Sequence, residues 1–144
     1  MKIFQASYVS RARDCINTSD IQNIVNVSQR NNQIFDLTGC LMFSGRHFVQ
    51  ILEGNFSDVS DVLKSISLDQ RHTNMRIFSG HQTSLRAYPQ WSMEFLHNPD
   101  ADTRMEILLN PKNKELPNTE LLEFMTGVKF DYFGSPQNSD RKVR

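Results

Sequence analysis

The sequence predicts an α+β fold: a ferredoxin-like β-α-β-β-α-β-β sheet with two helices on one face and a C-terminal helical extension covering the other. Three observations predict it. Apolar residues alternate in several short segments, two stripes recur at helical spacing, and a hairpin lies between those stripes. The 144 residues suffice for one ordinary domain with an appendage.

Residues 2–9, KIFQASYV, form the first strand, with Phe4, Ala6 and Tyr8 on one face and Ile3, Ser7 and Val9 on the other. Ser19-Asp20-Ile21-Gln22 has the form of a capping box, and Ile21, Ile24 and Val25 then recur helically, predicting a helix to about Asn31 or Asn32. FDLTGCLMFS and HFVQILEG make a hairpin through Ser44-Gly45-Arg46, where Gly45 supplies a positive-φ turn residue. Ser57 and Asp58 cap a second helix with Val59, Val62, Leu63 and Ile66 inward, ending near Asp69. MRIFSGHQTS and WSMEFL supply two further strands. Beyond Asn98-Pro99-Asp100 the character changes. Thr103-Arg104-Met105-Glu106 reads as a capping box before a short helix, and Pro117-Asn118-Thr119 opens another that stops at Gly127. The polar, basic end is read as a disordered tail. The organisation is thus a domain over 1–98, a helical extension over 99–133 and a tail over 134–144.

Sixteen Lys and Arg balance sixteen Asp and Glu, so no net field attracts nucleic acid or an anionic membrane. No apolar run has membrane-spanning length and the start is unlike a signal peptide, so a cytoplasmic protein is expected. Cys15 and Cys40 form neither a Cys-x-x-Cys pair nor a ligand set with the four histidines, so no metal is expected and both read as free thiols.

Polar groups on apolar faces carry the functional information. Continuing the first helix's stripe brings in Ser28, Asn31 and Asn32. Gln50 shares a strand face with Phe48 and Leu52, and Tyr8 adds a phenol. An unmet buried donor or acceptor costs about 1–3 kcal/mol. Three amides and a phenol around one pocket would suit a flat ligand with alternating donors and acceptors. Taken singly, each has a plainer reading: a helix C-cap for the asparagines, an edge-of-core aromatic for Tyr8, an exposed sheet face for Gln50, and core for Trp91 and Met93.

The combination is more specific. Tyr8, QRNN at 29–32, TGCLMFSGRHFVQILEG at 38–54, DQRHTN at 69–74 and WSM at 91–93 together resemble the BLUF family, blue-light sensors that bind flavin. The resemblance covers about residues 1–98 and is nearest to the short type, which carries a helical extension and no effector enzyme. It implies a bound flavin, FAD or FMN, and a regulatory protein that is not an enzyme. Asn31 and Asn32 would hold the polar edge of the isoalloxazine ring, with Ser28 beside them on the same stripe. Ile24, Phe48 and Ile66 would wall the ring. Arg71 and His72 would lie near its outer part or its ribityl-phosphate chain. Gln50 would stand between Tyr8 and the flavin, and light would rearrange it. Trp91 and Met93, one of them facing the flavin, would pass the change outward. The implied partner is a protein whose contacts light alters through residues 99–133, and short relatives assemble, so a homo-oligomer is expected.

Two rival classes are weaker. A nucleic-acid or protein-binding module on the same fold would need exposed aromatics among basic residues, and the central strands lack them. A hydrolase using Cys40 with His47 or His72 would need an exposed thiol, whereas Cys40 lies within an apolar strand.

Overall fold

The computed structural model describes residues 2–90 and 92–126. The chain runs β1 (Ile3–Ala12), α1 (Thr18–Ile34), β2 (Thr38–Phe43), β3 (His47–Gly54), α2 (Phe56–Ser67), β4 (His72–Ile77), β5 (His81–Thr83) and β6 (Glu94–His97). A 3₁₀ turn over Pro99–Ala101 then leads to α3 (Asp102–Leu109) and α4 (Asn118–Thr126).

The strands form one sheet in the order β4-β1-β3-β2-β6, with β5 also on β1. Every pairing is antiparallel except β2 with β6, so a ferredoxin-like sheet carries one added parallel edge strand. The β1–β3 register sets Tyr8 directly opposite Gln50, and alternation then sorts side chains to two faces. Under α1 and α2 lie Ala6, Tyr8, Leu41, Phe48, Leu52 and Met93, packed with Val59 and Leu63 of α2. On the reverse face Val9, Cys40, Met42, Val49 and Ile51 pack with Met105, Leu108, Leu109, Leu121 and Met125 from α3 and α4. The expected two-sided cover is present.

Gly45 takes φ +105° in the hairpin turn, as expected. Gly39 serves a close approach, since a Cβ there would sit 2.1 Å from the Ile51 carbonyl oxygen.

Several boundaries differ from expectation. The α1 cap is Asn17, not Ser19: its side chain accepts from Asp20 N–H while Asp20 accepts from Asn17 N–H. Arg13 also binds Asp20, which fixes that choice, and the helix extends to Ile34. Asn55, rather than Ser57 or Asp58, caps α2 by accepting from Ser57 N–H. The stretch expected as one strand over 75–84 is two, because buried Phe78 packs into the reverse-face core and Gly80 lies against the Phe4 ring. The last strand begins at Glu94, so Met93 precedes it. Glu106 does not cap α3; its N-cap position is Ala101, with no side-chain hydrogen bond, and Glu106 reaches His47 instead. Trp91, Gly127 and the tail expected over 134–144 lie outside the described residues.

Candidate functional site

A cleft of about 310 Å³ opens between α1 and α2 over the sheet, within the size range of small-molecule sites. Its walls follow helical spacing: Ile24, Val27, Ser28, Asn31 and Phe35 from α1, and Asp58, Asp61, Val62, Ser65 and Ile66 from α2. Tyr8, Leu41, Phe48 and Gln50 supply the floor, and Asn32, Asp69, Arg71 and His72 complete the lining. Tyr8, Ile24, Ser28, Asn31, Asn32, Phe48, Gln50, Ile66, Arg71 and His72 therefore line one cleft. Met93 lies behind Gln50 rather than in the wall.

At the floor, Tyr8 Oη donates to Gln50 Oε1 at 2.6 Å, and Gln50 Nε2 donates to Met93 Sδ at 3.6 Å. Tyr8 and Gln50 are 4% and 3% exposed, which keeps competing water from this line. Burial, with the Asp69 charge adding, pushes the Tyr8 phenol well above its ordinary pKa, so it remains a donor. Gln50 is thus held at both ends by groups on different strands or segments.

The same line reaches the connector before β6. Asn32 Nδ2 donates to the Ser92 carbonyl at 2.5 Å, and Gln29 Nε2 donates to the Met93 carbonyl at 3.2 Å. Asn32 lines the cleft, and among the described residues its Oδ1 accepts no hydrogen bond. The Asn31 carboxamide has no hydrogen-bond partner among the described residues.

Arg71 and His72 are less free than expected. Hydrogen bonds from Arg71 hold the Asp69 carboxyl below its usual range, and the same guanidinium also donates to Asn23. Buried His72 spends both ring nitrogens on Ser10 Oγ (2.7 Å) and the Ile66 carbonyl (2.6 Å). With Asp58 and Asp61 on the wall, the cleft gives its strongest polar recognition to a flat, neutral edge rather than to an anion.

Sequence reasoning missed Val27, Phe35, Asp58, Asp61, Val62, Leu41 and Asp69 as lining. Extending each helical stripe by three or four residues finds most of them. It also missed Glu53, fully buried at the end of β3, which accepts from Gln5 Nε2 (2.9 Å), Thr38 Oγ1 (2.8 Å) and the amides of Ala87 and Tyr88 (both 2.7 Å). Glu53 anchors the long loop that leads to Met93.

An apolar slot with convergent amides fits a flavin ring: the unpartnered Asn31 amide and the remaining Asn32 acceptor complement a pyrimidine edge of carbonyls and an N–H. Comparisons with known proteins agree. A family model described as BLUF, sensors of blue-light using FAD, matches residues 3–94. The blue light- and temperature-regulated antirepressor BluF of Escherichia coli (strain K12) is 38% identical over 68 residues, covering 47% of this chain and 17% of that protein. Photoactivated adenylate cyclase subunit beta of Euglena longa is 30% identical over 88 residues, covering 60% of this chain and 10% of that protein. The chain thus spans under a fifth of either relative's length. Among solved structures, the dark state of BlrB, a BLUF protein, superposes with a TM-score of 0.66 at 30% identity, covering 75% of this chain and 82% of that one. The BlsA photo-activated state shares the fold at a TM-score of 0.71 and 22% identity, covering 88% and 94%. No helix among the described residues is long and apolar enough to cross a membrane.

Proposed function

Because the chain belongs to the BLUF family, sensors of blue-light using FAD, we propose that it holds a flavin between α1 and α2 and that Tyr8, Gln50 and Met93 form its light-set switch. The observation that carries this reading is the buried Gln50 carboxamide, shared between a phenol and a thioether at the floor of the cleft.

Asn31 and Asn32 would hold the ring's polar edge, with Ser28 adjacent, and Ile24, Phe48 and Ile66 would exclude water around it. FAD is the expected cofactor, and FMN presents the same ring. Arg71 would stand at the tail, sharing its charge with Asp69; His72 would support the floor through Ser10 and Ile66 rather than touch phosphate. When bound, the flavin supplies blue-light absorption and, once excited, a site that accepts an electron and a proton. Tyr8 releases both, the proton passing along its hydrogen bond to Gln50, and later regains both. Gln50 is left rearranged, by rotation or tautomerisation. A carboxamide suits this because its two ends are similar in shape and opposite in hydrogen-bonding sense, giving two arrangements in one cavity.

Rearrangement withdraws the donor from Met93 Sδ. Since Gln29 and Asn32 already grip the Met93 and Ser92 carbonyls, the change passes to β6 and, through the 3₁₀ turn, to α3. Trp91 would act in the same connector. In this division residues 1–98 sense, residues 99–133 answer, and a cytoplasmic protein partner or a second copy reads the change. Limited proteolysis of the full chain in darkness and under blue light tests it: cleavage within 99–126 is expected to differ between the two, together with oligomeric state or partner binding. Identical cleavage, assembly and partner binding in both states would reject the relay.

A further inference from the structure

The cleft between α1 and α2 carries more carboxylates than cations, and this bears on the tail of its ligand. Asp58, Asp61 and Asp69 line it against one guanidinium, Arg71. Asp69 and Arg71 offset each other: Arg71 donates three hydrogen bonds to the Asp69 carboxylate, at 3.0, 3.2 and 2.7 Å, and a fourth to Asn23 at 2.9 Å. His72 has both ring nitrogens engaged, on Ser10 Oγ and the Ile66 carbonyl. Asp58 and Asp61, three residues apart and so on one face of α2, have carboxylates without an ion-pair or hydrogen-bond partner among the described residues. The α1 wall adds Ile24, Val27, Ser28, Asn31 and Phe35, none of them charged. Arg30 and Lys64, the remaining cations of the two helices, are outside the lining. Asp58 stands in the first turn of α2, where a carboxylate suits the helix dipole, but Asp61 lies beyond that turn.

We infer that Asp58 and Asp61 are specificity-determining residues: they make the cleft select a flavin by its ring and discriminate against a phosphate on its tail. The inference rests on the flavin reading above and adds the charge preference of that site. Riboflavin and FMN share the ring and the ribityl chain and differ by one phosphate, which carries roughly 1.5 to 2 negative charges at pH 7. A phosphate site ordinarily presents unpaired Arg or Lys to its ligand. Here the cation of the lining is already matched, and two carboxylates are left over. Near 10 mM salt the Debye length is about 30 Å, so a phosphate leaving the cleft at any point of its mouth feels both carboxylates, whatever path the tail takes. In about 1 M salt that length falls to about 3 Å and the repulsion is screened. Salt should therefore favour the phosphorylated ligand, the opposite of its effect at a cationic phosphate site.

Competition on the full chain reads this preference directly. The chain, kept in darkness, is equilibrated with an excess of riboflavin and FMN in equal amounts; bound flavin is separated by gel filtration and resolved by chromatography. Both ligands bury the same ring, so the effect of salt on ring burial cancels in their ratio. Bound riboflavin should exceed bound FMN about fivefold in about 10 mM sodium chloride, and the two should approach equality in about 1 M. D58N/D61N keeps the shape of both side chains and removes their charge, so it should bring the low-salt ratio close to equality. If that variant does not fold, the salt series on the wild-type chain decides alone. An excess of bound FMN that salt reduces would reveal a phosphate counterion in the cleft and overturn the inference. Equal binding at low salt, a ratio indifferent to salt, or an undiminished preference for riboflavin in D58N/D61N would overturn it as well, each leaving the flavin site itself intact. Retention of neither ligand would reject the cleft as a flavin site and the inference with it.

Discussion

Replacing Gln50 with leucine is expected to leave flavin bound and to abolish the reversible light-induced spectral shift. Leucine fills a similar volume among Phe48, Leu52 and Leu41, so the slot persists. It cannot accept from Tyr8 Oη or donate to Met93 Sδ, and it has no second hydrogen-bonding arrangement to adopt. The Tyr8 hydroxyl loses its acceptor, costing about 1–3 kcal/mol, partly offset by the apolar replacement. Tyr8→Phe should give the same loss from the other side by removing the donor. Steady-state absorption before and after illumination checks both variants. A full, reversible shift in either would remove that residue from the switch, and loss of flavin in Gln50→Leu would make Gln50 a binding residue first.

Replacing Glu53 with alanine is expected to destabilise the fold by about 3–5 kcal/mol, a large share of the roughly 5–15 kcal/mol that holds a domain together. Four donors converge on its carboxylate: the Gln5 amide, the Thr38 hydroxyl and the Ala87 and Tyr88 N–H groups. Each buried donor left without an acceptor costs about 1–3 kcal/mol, so the range already allows for partial rehydration. The effect should concentrate in the loop before Met93, because Arg86 in the same loop also grips Asp36 and Thr38. Urea denaturation followed by circular dichroism measures it. A loss below about 1 kcal/mol would show that the loop repacks without its anchor.

What the sequence makes legible depends on whether the relevant contact is local. The faces of β1 and β3 follow from alternation, and the Gly45 turn from glycine's freedom at positive φ; both are found. The meeting of Tyr8, Gln50, Asn31 and Asn32 on one cleft follows from two periodicities and one register. Cap positions are less legible. Asn17-x-x-Asp20 and Ser19-x-x-Gln22 are equivalent patterns two residues apart, and the Arg13–Asp20 pair, which favours the first, is invisible to a helix pattern. Glu53 reads locally as a charged strand end, although two of its donors come from a loop 34 and 35 residues onward. His47 is similar: its partners lie 55 and 59 residues away, and Glu106 in sequence resembles a capping residue. The break between β4 and β5 arises because Phe78 is drawn to the opposite core, a packing event that alternation does not encode.

The most direct test of the central claim is the absorption spectrum of the purified wild-type chain in darkness, just after blue illumination, and again after standing in the dark. A flavin spectrum that shifts slightly to the red and then returns is the predicted result. Flavin bands that stay fixed or bleach would contradict the Tyr8–Gln50 switch, and no flavin even after reconstitution would contradict the assignment of the cleft itself.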